Sequence, residues 1–312
     1  MCSHSVKSIR DKFKRNGVFY TPESLSFFIR SLVDFEPRDV YDPTCGNGSL
    51  LSAFDDHTVK YGQEIDSSQL DVAAGRLKNF TGFAGDTLAN DGFQGRKFHC
   101  IVSNYPFSIK WEPWVDDCRM HGFSCVPTQG RADFAFIMHI INHMASDGVS
   151  VIMGFPGILY MGGRERNIRA DIIKSGHLST VISVPGGVFE DTSISTCILI
   201  IDNREKFNGV KFIEVNDSLD VGCSISKVVE ISDIANNDFN LSVSSYITKN
   251  EVKQEIDETE LNNAARQGMI RKIMADIECD LMVCEIEGFD KFNYIDMIIR
   301  KLNNKRDEMA GH

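Results

Sequence analysis

The chain carries no charged-then-apolar leader and no uninterrupted apolar run near the roughly 20 residues that a membrane helix needs. A cytoplasmic protein with no membrane partner is therefore expected. Its nine cysteines, at positions 2, 45, 100, 118, 125, 197, 223, 279 and 284, include no CxxC pair and no Cys/His group of zinc spacing. Their odd number excludes a fully closed disulfide set, and they read as reduced thiols. There is no internal repeat and no low-complexity tract. Basic residues are in deficit: 33 Lys and Arg stand against 44 Asp and Glu, for a formal charge of −11 over 312 residues. Nonspecific duplex affinity comes from neutralising phosphates, so such a chain would hold nucleic acid only through a local basic surface or a basic partner. What is present, 42% hydrophobic and 25% charged residues, suits one large globular domain with an appendage.

Four regions follow from the patterning. Residues 1–37 read as a helical lead-in, basic from Ser5 to Arg15 and followed by Phe19-Tyr20-Thr21-Pro22. A helix is predicted over Glu23 to Val33, with Thr21 as N-cap and Pro22 at its first position. Residues 38–203 alternate short apolar runs with helical periodicity, the mark of βα units. Strands are predicted at Asp39–Asp42, Val59–Glu64, Gly82–Asp86, Phe98–Ser103, Val149–Phe155, Thr180–Val184 and Thr196–Ile201. Helices are predicted at Ser67–Lys78, Asp133–Ala145 and Arg164–Lys174, with a turn at Asp147-Gly148. Residues 204–248 are Asn/Asp/Ser-rich and read as an irregular segment packed on the core. Residues 249–312 read as a charged helical arm, whose stripe of Ile270, Ile273, Ile277, Leu281 and Cys284 wants a partner surface. Seven strands with intervening helices predict an α/β fold of the class I methyltransferase type, Rossmann-like, with a mostly parallel sheet and a C-terminal helical tail.

The chemistry-bearing residues fall at predicted strand ends, where ligands bind in open parallel sheets. Asp42 ends the first strand and runs into Pro43-Thr44-Cys45-Gly46-Asn47-Gly48. Gly46 and Gly48 would let a ligand approach the backbone. The third glycine of the dinucleotide fingerprint is missing and an acid leads the loop, which suits a cationic amino-acid moiety better than a pyrophosphate. A tight structural turn would read the same way. Glu64, at the next strand end, stands where a carboxylate can accept ribose hydroxyls, or can simply be solvated. Asp86, in Gly85-Asp86-Thr87, can meet an adenine amino group. The fourth strand ends in Asn104-Tyr105-Pro106-Phe107. An amino nitrogen on an aromatic ring delocalises its lone pair and attacks a methyl sulfonium poorly unless acceptors draw density back onto nitrogen. The Asn104 Oδ1 and the carbonyl of residue 105 are candidates for those acceptors. Pro106 holds Tyr105 extended, and Phe107 offers a face to an extruded base, a contact worth about 1–3 kcal/mol.

With these segments in order, the chain resembles the modification subunits of type I restriction-modification systems, within the N6-adenine DNA methyltransferases, over roughly Gly17 to Tyr246. Further matches are Ser108-Ile109-Lys110-Trp111, Ala132-Asp133-Phe134-Ala135-Phe136, Phe155-Pro156-Gly157 with Gly162-Gly163, Thr192-Ser193-Ile194 and Asn240-Leu241-Ser242. The resemblance implies an S-adenosylmethionine-dependent enzyme that methylates N6 of a flipped adenine by direct transfer, without metal or covalent intermediate. By position, Tyr20, Thr21 and Pro22 would line the methionine end of the cofactor together with Asp42, Gly46, Asn47 and Gly48. Glu64 would hold the ribose, Asp86 the cofactor adenine, and Asn104 to Phe107 the target base. The expected partners are DNA and, through the C-terminal arm, a DNA-specificity subunit or a second copy of the chain. Two features depart from the family: Tyr105 replaces the first proline of the usual Asn-Pro-Pro-aromatic motif, and the family's helical N-terminal domain is expected to be missing. Two alternatives stay open, a methyltransferase acting on another amino or amide acceptor such as an RNA base or a protein glutamine, and a catalytically silent cofactor-binding module.

Other candidates are weaker. His139 and His143 stand four residues apart on a predicted apolar helix with no carboxylate or third ligand at metal spacing, so no metal site is expected. Trp111, Trp114 and Lys110 could contact DNA or serve the fold, and Arg164, Arg166 and Arg169 could reach phosphates or form a solvated helix face.

Overall fold

Runs of β-branched and aromatic residues between Asp39 and Asp202 pair into one large sheet. The computed structural model describes residues 21–114, 117–186, 195–215, 224–247 and 290–310, with scattered positions between 266 and 281. The chain divides into two units, Met1–Thr248 and Lys249–His312. In the first unit, α1 (Glu23–Ser31) precedes β1 (Asp39–Asp42), β2 (Val59–Glu64), α2 (Ser67–Arg76), β3 (Phe80–Ala84) and β4 (Phe98–Asn104). Then come α3 (Asp133–His143), β5 (Met144–Gly154), α4 (Arg164–Ser175), β6 (Leu178–Val184), β7 (Thr196–Asp202), β8 (Gly209–Glu214), β9 (Ile225–Glu230) and α5 (Ile231–Asn236). The spatial order is β3-β2-β1-β4-β5-β7-β6-β8-β9. Strands β1 to β5 run parallel, β7 runs antiparallel between β5 and β6, and β8 is parallel to β6.

Side chains alternate between the two faces, and both faces are apolar because each is covered by helices. Tyr41, Phe98, Ile101 and Ile152 pack with α3 and α4 on one face. Their neighbours Val40, Cys100, Val102, Val151 and Met153 pack with α1 and α2 on the other. Parallel strands under helical cover put every carboxyl end of β1 to β5 along one edge, and that edge carries the acids and Asn104.

The structure corrects several expectations. The sheet has nine strands, not seven. The two extra strands lie in the segment read as irregular, and β9 escaped notice because, as an edge strand with only Val229 buried, it shows no apolar alternation. Thr21 does not cap α1: Pro22 occupies the cap position and its carbonyl accepts the Ser26 N–H at 3.0 Å. The Asp147-Gly148 pair is not a turn after a long helix but lies inside β5, where the register against β4 shifts between Phe98 and Cys100. A Cβ at Gly148 would stand 2.8 Å from the Phe98 carbonyl oxygen and 3.0 Å from the Ala145 nitrogen, so this irregularity closes only around glycine.

In the second unit Lys291–Ala310 forms a helix, α6. Of the expected apolar stripe, Ile270, Ile277 and Leu281 are described, all three in helical backbone, while Ile273 and Cys284 lie outside the described residues. Among the described residues no helix is long and apolar enough to cross a membrane.

Gly148→Ala is expected to destabilise the first unit by about 1–3 kcal/mol, the usual range for forcing a methyl into a packed site. Urea unfolding checks this, and a midpoint equal to that of the parent chain would show that the strand irregularity relaxes freely.

Candidate active site

The loop after β1 folds around a buried acid. Asp42 is 1% exposed, and its Oδ1 accepts the Thr44 N–H at 3.0 Å. Burial raises its carboxyl from 3.8 to about 8, the nearby Glu64 charge adds to the rise, and the Thr44 hydrogen bonds oppose it. An acid so placed favours its neutral form near pH 7. Gly46 and Gly48 both take positive φ, at +51° and +80°. A Cβ on Gly46 would meet nothing within 4 Å, whereas one on Gly48 would lie 2.8 Å from Leu77 Cδ1. Gly46 thus keeps the loop open to a ligand, and Gly48 lets the loop lie close to the chain just past α2. Asn47 Oδ1 accepts both the backbone N–H and the hydroxyl of Ser49, at 3.2 and 2.7 Å, and fixes the turn between the two glycines.

The neighbouring strand ends are stitched to this loop. Glu64 Oε2 accepts the Gly46 N–H at 2.9 Å and its Oε1 accepts the Asp66 N–H at 3.0 Å, so both oxygens are oriented by backbone amides. Asp86 is exposed, and its Oδ1 accepts the Leu88 N–H at 2.9 Å. Three residues that sequence reasoning missed support this edge. Gln63, fully buried, donates to the Gly85 and Asn90 carbonyls at 3.2 and 2.7 Å and accepts the Gly92 N–H at 3.1 Å. Arg119 makes two hydrogen bonds to the Thr87 and Leu88 carbonyls at 3.0 and 2.7 Å, while Asp117 grips its other side at 2.8 and 2.6 Å. With His139 Nδ1 as a further acceptor at 3.3 Å, all five guanidinium N–H groups are engaged. Burial alone would raise the Asp117 carboxyl, and its hydrogen bonds to Arg119 more than reverse this. Nothing local in the sequence marks Arg119, because its acceptors come from elements about 30 residues away and from its neighbour Asp117.

At the end of β4, Asn104 Nδ2 donates to Thr21 Oγ1 at 3.0 Å. Among the described residues its Oδ1 carries no hydrogen bond, so the amide is oriented with its acceptor unused. The Tyr105 side chain turns inward: it is 1% exposed, stacks on Phe136 with ring centres 5.2 Å apart, and meets Phe107 edge-on at 5.6 Å. Its backbone is thus anchored by a ring in the core where the usual motif uses a proline. Ser108 follows in the left-handed region, φ +56°, and its N–H donates to Asp133 Oδ2 at 3.1 Å. Trp111 is buried and donates its indole N–H to the Thr128 carbonyl at 3.0 Å, so it serves the fold, while Trp114 is 54% exposed. Arg169 is spent internally on the Phe239, Ile158 and Met161 carbonyls, and Arg166 pairs with Asp238 at 2.9 Å, leaving little of the basic helix start for phosphates. Pro22 lies beside Thr21 at the start of α1, and Tyr20 lies outside the described residues. Thr192-Ser193-Ile194 also lies outside them.

The structure overturns the expectation that no carboxylate accompanies the histidine pair. A carboxylate does join the histidine pair: Asp91 Oδ2 lies 2.9 Å from His143 Nε2, and one ligand atom from each of Asp91, His139 and His143 falls within 4.8 Å of the others. The nitrogens are already engaged, however. His143 Nδ1 donates to the Arg96 carbonyl at 2.8 Å, and His139 accepts from Arg119 and donates through Nε2 to the Tyr41 hydroxyl at 3.2 Å. A metal at His139 would have to displace a buried guanidinium, so the cluster is better described as a hydrogen-bonded network beneath the sheet.

A strand order of β3-β2-β1-β4-β5-β7-β6 in which only β7 is reversed, with acids along the carboxyl edge, defines a class I methyltransferase fold, here extended by β8 and β9. Within that class the chain belongs to the N-6 DNA methylase family, which its residues 7–223 match. It is 28% identical to the methylase subunit of the type I restriction enzyme MpnII of Mycoplasma pneumoniae, over 86% of this chain and 61% of that protein. It is 26% identical to the methylase subunit of HindI of Haemophilus influenzae, over 64% of this chain and 50% of that protein. Among solved structures, the type I restriction-modification methyltransferase subunit of Streptococcus thermophilus superposes with a TM-score of 0.68 at 25% identity, covering 77% of this chain and 62% of that one. The chain thus spans between half and two thirds of the length of these relatives.

The Asp42 carboxyl gives a pH test. In the unfolded chain it ionises near 3.8 and in the folded one near 8, so the unfolded state binds fewer protons between these values and stability falls as pH rises through that window. Asp42→Asn lacks this slope. In the ligand-free protein the Tm of the variant minus that of the parent is expected to grow between pH 5 and pH 8, and parallel Tm curves would refute the buried-acid assignment.

Proposed function

We propose that this chain is the catalytic part of an S-adenosylmethionine-dependent DNA methyltransferase that transfers a methyl group to N6 of adenine. The observation that carries this reading is the Asn104 amide, fixed by Thr21 with its Oδ1 unused among the described residues, at the same sheet edge as a buried acid in an open glycine loop. The residues fit the cofactor. Asp42 is a neutralised acid awaiting a cation, and Gly46 leaves room beside it. Asn47, Gly48, Thr21, Pro22 and, by family pattern, Tyr20 would complete the methionine end. Glu64 presents oriented carboxylate oxygens for ribose hydroxyls, and Asp86 offers an acceptor for the adenine amino group. When bound, S-adenosylmethionine supplies a methyl group on a sulfonium, and no other electrophile is required.

The protein's own part is to make a poor nucleophile competent. Asn104 Oδ1 and the Tyr105 carbonyl would accept from the two N–H groups of the target amine and draw its lone pair back onto nitrogen. Inward packing of the Tyr105 ring and the restriction from Pro106 hold that carbonyl, and Phe107 offers the stacking face. Family membership supports adenine as the acceptor. The proposed assembly pairs the chain, in the cytoplasm, with DNA and a specificity subunit whose basic surface would offset the charge of −11. The helical arm after Lys249 is the proposed contact to that subunit or to a second copy.

The test incubates the chain with tritium-labelled S-adenosylmethionine and mixed-sequence duplex DNA, with and without a specificity subunit, and measures label on adenine. Asn104→Ala is expected to lower transfer by about 100- to 1000-fold, the usual cost of losing one electrostatic contact made in the transition state, with cofactor affinity little changed. Label retained in Asn104→Ala, or found on another acceptor, would overturn the reading. Cofactor binding without any transfer would point to a silent module.

Thr21→Val, which removes the acceptor that orients Asn104, is expected to lower kcat about tenfold, equivalent to one hydrogen bond of about 1 kcal/mol or a little more. Thr21→Ser should restore most of that loss. Equal rates for Thr21→Val and the parent would show that the amide needs no external restraint.

A further inference from the structure

The loop Tyr105–Trp111 is laid against the segment Thr128–Asp133 by four hydrogen bonds. Trp111 donates its backbone N–H to the Gln129 carbonyl at 3.1 Å and its indole N–H to the Thr128 carbonyl at 3.0 Å, and Ala132 N–H donates to the Ile109 carbonyl at 2.8 Å. The fourth bond, from Ser108 N–H to Asp133 Oδ2 at 3.1 Å, uses the first residue of α3 and lies nearest to the acceptor motif. Three features set Asp133 apart from an ordinary first-turn acid. It is 2% exposed, where most such acids are solvated. Among the described residues its Oδ1 is buried without a hydrogen-bond partner, an uncompensated cost. Its one side-chain bond falls on a non-glycine residue held at φ +56°, a conformation that normally needs local support.

We propose that Asp133 is the positioning residue of the acceptor loop: it holds Ser108 in the left-handed turn that follows Phe107, and thereby sets where the Tyr105 carbonyl and the Phe107 ring stand relative to Asn104. The usual motif stiffens this stretch from within by two successive prolines, and here only Pro106 remains. Tyr105 is anchored from below by its stack on Phe136, one turn along the helix that Asp133 begins. The start of α3 therefore grips the loop twice, through the Phe136 ring beneath residue 105 and through the Asp133 carboxylate at residue 108. The catalytic consequence rests on the adenine-methyltransferase reading above. The mechanical one does not.

The two consequences can be tested separately. The chain has only two tryptophans, so Trp114→Phe leaves Trp111 as the sole reporter, three residues past Ser108. In that background Asp133→Ala is expected to increase acrylamide quenching of Trp111 by about twofold or more as the loop lifts. Asp133→Asn, whose Oδ1 can still accept the Ser108 N–H, is expected to return quenching to the parent value. In the otherwise unmodified chain with its specificity partner, Asp133→Ala is expected to lower kcat for methyl transfer by about 100-fold, the scale of a misplaced reacting group, with cofactor Kd unchanged. Asp133→Asn should recover all but a few-fold of this. Unchanged quenching in Asp133→Ala, or an Asp133→Asn variant as impaired as Asp133→Ala, overturns the proposal. If quenching responds and Asn rescues it while the parent chain labels no adenine, the positioning role stands and the acceptor assignment fails.

Discussion

Four neighbouring parallel strands, β2-β1-β4-β5, bury most of both their faces, and the remaining features of the site follow from that constraint. Both faces of β1, β2, β4 and β5 are largely buried while β3 forms an exposed edge, so polar chemistry is expelled to the strand ends, and parallel pairing gathers the carboxyl ends of β1 to β5 on one side. Asp42, Glu64, the Gly85-Asp86 turn and Asn104 are neighbours because β1, β2, β3 and β4 are neighbours. Gln63 and Arg119 then secure the edge from beneath. Arg119 is affordable as a buried charge because every one of its donors is engaged and Asp117 neutralises it.

Much of this was legible in the sequence, and the reasons are local. Most strands from β1 to β7 announce themselves as short apolar runs, and β1, β2, β4 and β7 end in Asp, Glu or Asn. The glycine loop after Asp42 and the acid at Glu64 stand at spacings that a βα unit dictates. Strands β8 and β9 were not legible, because Val210 and Phe212 point inward only through pairing with β6, and β9 presents almost nothing to the core. The error at Asp147-Gly148 has a similar origin: the pair has turn chemistry, but Met144 and Val149 on either side of it pair with Phe98 and Cys100 of β4, so it becomes an irregularity within one strand. Thr21 had the chemistry of an N-cap, and a side chain 83 residues away claimed its hydroxyl instead.

The least legible parts were those in which a residue serves another residue. Asp133 and Arg119 bear no motif of their own, and each is defined by backbone groups brought to it by the fold. Tyr105 illustrates the converse. Read as a string, it breaks a two-proline motif. In three dimensions its ring is part of the core beside Phe136, and only its backbone faces the site. Among the described residues the tyrosine hydroxyl remains buried without a partner, which marks the substitution as a trade of local backbone rigidity for tertiary anchoring.

The bond between Thr21 and Asn104 joins the residue before α1 to the end of the fourth strand, 83 residues further along the chain. Closing a loop of that length is entropically dear, and one side-chain hydrogen bond returns only about 1 kcal/mol against it. The strands and helices persist without that bond, but the orientation of the acceptor amide does not. Fraying of a few residues at Thr21 would therefore silence the site while spectroscopic probes of the sheet report an intact protein, so that activity and global unfolding would follow separate melting curves.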